Sequence, residues 1–151
     1  VATLYIGNSL TDPYTVNPSR KPPAALKRAA PTIHRGIVLG SVETWPEPEP
    51  IFAKLKEILL HSGRKLISGK ALKQRVLATA TGKEVPPPVL PQTRTVIIEC
   101  ADDPLIPRAA QRAMREKYPR ATLYRLARGG HYPYITRPER YTRILARHLP
   151  R

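Results

Sequence analysis

The sequence is poor in the residues that would point to a cofactor, a metal or a membrane. It has one cysteine, Cys100, which excludes an internal disulfide and fits a reducing compartment. That thiol and the four scattered histidines have no metal-ligand spacing, so no metal site is expected. There is no dinucleotide fingerprint, and Gly129-Gly130 is not a phosphate loop, so no cofactor is expected either. No apolar run approaches the roughly 20 residues of a membrane-spanning helix, and no signal-peptide pattern is visible. Aromatic residues make up 6% of the chain and form no aromatic-rich RNA-binding motif. Acids are scarce: 11 Asp and Glu stand against 26 Lys and Arg, a net charge of +15, far from the balance of an ordinary soluble enzyme.

What is present is most informative in the last stretch, 93–151. The 151 residues give room for one hydrophobic core. Thr95 to Ile98 is a short β-branched run, suited to a strand buried on both faces. An acidic loop, Cys100-Ala-Asp-Asp-Pro-Leu-Ile-Pro107, follows it. A helix is predicted from Pro107 to Pro119, with Ala110, Ala113 and Met114 on one side and Arg108, Arg112 and Arg115 on the other. Thr122 to Leu126 reads as a second strand. Gly129-Gly130 then allows a tight turn that presents His131. Thr136 and Glu139 have the spacing of a capping box, opening a final helix that buries Tyr141, Ile144, Leu145 and Leu149. Strands that alternate with helices imply a parallel sheet.

The order strand, Ala101-Asp-Asp-Pro-Leu-Ile-Pro107, helix, strand, Gly129-Gly-His-Tyr-Pro-Tyr134, helix resembles the C-terminal end of the α/β-hydrolase fold. The resemblance implies a partial α/β-hydrolase fold: a short parallel sheet with flanking helices and a helical cap segment. It also implies that Asp103 is the acid and His131 the histidine of a Ser-His-Asp triad, in which the carboxylate fixes the imidazole tautomer. Asp102 matches the acid less well. The plainer alternative keeps Asp103 as a cap for the helix at Pro107 and His131 as a loop residue. A complete hydrolase sheet needs a longer chain, so a half, a fragment or a reduced descendant is expected.

Val1 to Ile6 reads as a strand, and Ser9 follows it in Gly7-Asn-Ser-Leu-Thr11. Ser9 is a candidate nucleophile in a G-x-S-x-G elbow, but Thr11 replaces the second glycine, and Pro13 and Pro18 interrupt the helix that should follow. The segment is better read as a strand end and a polar loop. Val1 to Asp12 is similar to maspardin-type α/β-hydrolase relatives, in which it follows the nucleophile strand and helix. Gly36-Ile-Val-Leu-Gly40, Lys73-Gln-Arg-Val-Leu77 and Tyr118-Pro-Arg-Ala121 are similar in the same order. This likeness implies that the elbow and the oxyanion-hole strand lie upstream of Val1, and that the chain is a binding or adaptor member. His131 is a departure from that pattern.

The chain thus divides into a first strand and loop, 1–17, a cap-like helical segment, 18–92, and the C-terminal core, 93–151. In the cap, Ala24 to Ala30 is a short helix. Trp45-Pro-Glu-Pro-Glu-Pro50 is an extended spacer. Ile51 to His61 is an amphipathic helix ended by Gly63, and Gly69 to Thr81 is another. His34, His61 and His148 read as surface or packing residues.

The charge is patterned. No acid lies between Glu57 and Glu84, where Arg64, Lys65, Lys70, Lys73 and Arg75 fall. Arg108, Arg112, Arg115, Arg140, Arg143 and Arg147 line the two C-terminal helices. Arginine forks suit phosphate, so these residues are candidate RNA-backbone contacts, against the plainer reading of solvated helix faces. Two functions follow. The favoured one is a non-catalytic structural or adaptor component of a large RNA-containing assembly such as a mitochondrial ribosome, with protein subunits covering the open sheet edge. A cytoplasmic location is the alternative. The other function is the acid-and-histidine half of an esterase-like serine hydrolase whose nucleophile comes from a preceding segment or another chain.

Overall fold

The structure is a computed structural model, and it describes residues 3–7, 24–81 and 91–149. The chain separates into two compact units, Asn17–Lys83 and Val1–Val16 with Glu84–Arg151.

The second of these holds a three-stranded parallel sheet in chain order: β1 (Leu4–Gly7), β2 (Thr95–Cys100) and β3 (Thr122–Leu126). Ile6 lies opposite Ile97, and Ile98 opposite Tyr124. β2 is buried along its whole length. The alternation of a strand sends its side chains to two cores. Val96, Ile98 and Cys100 join Leu126 and Ile144, with Tyr5, Tyr124, Tyr141 and Leu145 packed around them. Ile97 points the other way, into a cluster with Met114 and Tyr118. The strand is two residues longer than its β-branched run because Glu99, on the same side as Ile97, is neutralised by Arg115 at 2.7 and 2.8 Å. The fold is therefore a partial α/β fold.

Among the described residues the α-helices of this unit are α5 (Arg108–Lys117), α6 (Pro133–Thr136) and α7 (Pro138–His148), the four α-helices before them in the chain falling in the other unit. α5 buries Ala110, Gln111 and Met114, and Gln111 Nε2 donates to the Cys100 carbonyl at 2.7 Å, fixing the helix to the end of β2. β1 in turn holds α7. Thr3 Oγ1 donates to the carbonyl of His148 and the Tyr5 hydroxyl to that of Leu145, so two end-of-helix acceptors are satisfied. Among the described residues the outer edge of β1 pairs with no strand.

Two expectations for the last helix fail. Thr136 and Glu139 form no capping box: the chain breaks at Arg137 between α6 and α7, and no side chain caps α7. Thr136 Oγ1 donates instead to the Gly129 carbonyl at 2.6 Å. Leu149 is 60% exposed, because α7 ends at His148 and the chain leaves the core face there.

The described part of the unit Asn17–Lys83 holds four α-helices joined by short connections: α1 (Ala24–Arg28), α2 (Pro31–Glu43), α3 (Pro50–His61) and α4 (Gly69–Thr81). The sequence pattern conceals α2, since Gly36 and Gly40 inside it weaken the helical signal. Pro31 at its first turn was the usable signal. Gly63 does not end the helical run but sits in a π-helical turn, Ser62–Leu66, that continues α3. It is small because a Cβ there would approach Leu39 Cδ2 to 2.6 Å. Among the described residues, no helix is long and apolar enough to cross a membrane.

Candidate active site

The loop after β2 and the loop after β3 meet at their acidic and histidine residues. Asp103 has no exposed side-chain surface. Its Oδ1 accepts from the backbone N–H groups of Leu105 and Ile106 at 2.8 and 3.0 Å, so the carboxylate is held by its own turn. It does not cap α5, whose N-cap is Pro107 with no side-chain cap bond. His131 Nδ1 lies 3.0 Å from Asp103 Oδ2 and 3.2 Å from Oδ1. A carboxylate only accepts, so Nδ1 carries the proton in the neutral ring and the lone pair is on Nε2. The His131 side chain is 19% exposed.

Asp102, the poorer sequence match for the acid, has a separate task. Its Oδ1 accepts from Gly129 N and Gly130 N, both at 2.9 Å, which ties the histidine turn to the end of β2. Gly130 adopts φ 59, a left-handed conformation that suits glycine. Gly129 is confined for another reason: a Cβ would stand 2.6 Å from Cys100 Sγ. With the Thr136 hydroxyl on the Gly129 carbonyl, both sides of the turn are held. Sequence reasoning singled out Asp103 and His131, which the structure brings into contact, but neither the Asp102 clamp nor the Thr136 bond. Adjacent acids facing a Gly-Gly turn were the available signal.

A cavity of about 220 Å³ opens beside His131, lined by Gly7, Tyr132, Pro133, Tyr134 and Tyr141. The His131 ring meets Tyr132 edge to face at 4.9 Å, and Tyr132, Tyr134 and Tyr141 continue the series. Burial pushes the Tyr141 hydroxyl above the usual tyrosine pKa, helped by Tyr134 and Cys100. Ser9 lies outside the described residues.

The candidate nucleic-acid contacts are scattered. Arg115 is engaged by Glu99, Arg64 by Glu43 at 2.7 Å, and Lys73 donates to the Ala29 carbonyl at 2.8 Å. Lys65, Lys70, Arg75, Arg108 and Arg112 are exposed. Arg140, Arg143 and Arg147 share one face of α7 and line a second cavity, with Arg125 of β3. Among the described residues no group of His, Cys, Asp and Glu could hold a metal ion.

A parallel sheet whose consecutive strands end in a buried acid and a histidine hydrogen-bonded to it is the arrangement of the acid and base in α/β acyl-transfer folds. A sequence profile of the alpha/beta hydrolase family matches residues 2–144, nearly the whole chain, and the protein belongs to that family. No curated protein matches it.

Proposed function

We propose that Asp103 and His131 are the acid and the general base of a serine-hydrolase site acting on an ester or a related acyl bond. One observation carries the reading: the 3.0 Å contact between His131 Nδ1 and a fully buried carboxylate. Burying a carboxylate is costly unless it is bonded, and this one is bonded twice to backbone and once to the ring. In that geometry His131 Nε2 takes a proton from an attacking hydroxyl, and Asp103 stabilises the imidazolium that forms. The hydroxyl comes from a serine outside the described residues, either Ser9 or one on a preceding segment or another polypeptide. The helical unit corresponds to the family's cap. The test is covalent labelling by a fluorophosphonate, applied to the 151-residue chain and to the chain joined to a polypeptide bearing a G-x-S-x-G elbow. Labelling that His131→Gln abolishes is expected. Absence of labelling in both forms refutes the proposal.

A second reading, a non-catalytic adaptor of maspardin type within an RNA-containing assembly such as a mitochondrial ribosome, is supported by a different observation: among the described residues, Arg140, Arg143 and Arg147 of α7 have no acidic partner. Its expected mark is RNA association that weakens steeply as salt rises. In this reading a protein subunit covers the outer edge of β1.

A further inference from the structure

The cavity between β3 and α7 has no part in the acyl-transfer chemistry. It measures about 210 Å³, and Leu126 and Ile144 line it together with Arg140, Arg143 and Arg147. Arg140, Arg143 and Arg147 are spaced to share one side of a helix, where like charges repel. None of them forms an ion pair among the described residues. Glu139, the acid of α7, does not pair with them. Arg125, although its strand borders the cavity, turns to the opposite face of the sheet, where it reaches Glu99 at 3.4 Å. The remaining wall, Tyr124, directs its hydroxyl to His148 Nε2 at 3.0 Å and supplies no negative charge.

Three arginines of α7 line one concavity with no carboxylate partner among the described residues, and an anion seated there would offset their mutual repulsion. We infer that this cavity binds a phosphate group, with Arg140, Arg143 and Arg147 of α7 as its ligands. Planar forks donate in pairs to the oxygens of a phosphate, and several can share one tetrahedral anion from different sides. The phosphate can come from an RNA backbone or from a free phosphate ester, and the chemistry of recognition is the same. The inference is independent of the acyl-transfer reading. It gives the RNA reading a location.

The experiment measures binding of inorganic phosphate to the 151-residue chain by calorimetry and by the shift in melting temperature, with chloride holding the ionic strength constant. Phosphate is expected to bind and to raise the melting temperature. Arg140→Gln with Arg143→Gln should weaken binding by about tenfold for each fork removed. Arg108→Gln with Arg112→Gln, an equal loss of charge on α5, should leave it unchanged, and circular dichroism checks that both variants fold. A short oligouridylate that binds more tightly than inorganic phosphate, and loses that advantage in the α7 variant, marks an RNA backbone as the source. A response confined to phosphate and small phosphomonoesters marks a free ligand. Three results overturn the inference: no effect of phosphate beyond chloride, equal losses in the two variants, or a polyglutamate that binds as tightly as the oligouridylate. RNA binding untouched by the α7 variant also overturns it while leaving the RNA reading standing, and fluorophosphonate labelling reports on the acyl-transfer reading separately.

Discussion

Replacing Asp103 by asparagine changes one oxygen to an NH₂ group, and the surrounding bonds dictate which one. Oδ1 accepts from Leu105 N and Ile106 N, and an NH₂ group cannot take that place. The amide oxygen must stay on the turn, so the NH₂ group faces His131. His131 Nδ1 then has to accept, and the ring proton moves to Nε2, the atom that should receive the proton of the nucleophile. The two turn bonds survive in neutral form, so the loss of stability should stay below about 3 kcal/mol. The loss of reactivity should be far larger. The same substitution in the Ser-His-Asp template costs about 10⁴-fold through the wrong tautomer, and a comparable fall is expected here in the rate of His131-dependent fluorophosphonate labelling. Nitrogen-15 NMR of the neutral histidine ring reads the cause directly. Nδ1 should carry the proton in the parent protein and Nε2 in Asp103→Asn. If the parent ring carries its proton on Nε2, or if the variant keeps both tautomer and labelling rate, the reasoning is wrong.

Other consequences can be measured on the same unit. Asp102→Ala removes the acceptor for two loop N–H groups and should cost about 2–4 kcal/mol, read in the denaturation midpoint and in faster amide exchange at Gly129 and Gly130. Gly129→Ala should destabilise by about 1–3 kcal/mol because its methyl meets Cys100 Sγ, and Cys100→Ala in the same chain should recover part of that loss in a double-mutant cycle. Tyr141 has its pKa raised, so the folded state keeps that proton to higher pH than the unfolded chain does. Its contribution is fully present below the ordinary tyrosine value of about 10 and is lost as pH rises from there through the raised pKa. Denaturant titrations at stepped alkaline pH should show a steeper decline for the parent than for Tyr141→Phe.

The central strand, the acid loop and the histidine turn could be read from the sequence because each is specified locally. A β-branched run, an Asp-Asp-Pro and a Gly-Gly-His carry their own conformational instructions. Features that depend on distant partners could not be read. Glu99 extends β2 only because Arg115 lies across from it, and Thr136 turns to the Gly129 carbonyl instead of forming the capping box its spacing suggests. α2 was obscured for a related reason, since its glycines are poor helix formers and the helix is stabilised by packing rather than by propensity. Pairing of Asp103 with His131 followed from family likeness, whereas the work divided between Asp102 and Asp103 needed coordinates.

The register of the sheet also orders events in time. Val96 pairs with Thr122 across a short intervening chain, while Leu4 must find Thr95 across one roughly three to four times longer, which adds about 1 kcal/mol of closure entropy. The short crossover from β2 through α5 to β3 therefore favours early assembly, with β1 arriving late. A nascent chain would bring carboxylate and imidazole together before the strand leading towards Ser9 docks, so the Asp103–His131 contact is older, in the life of each molecule, than the pocket wall at Gly7.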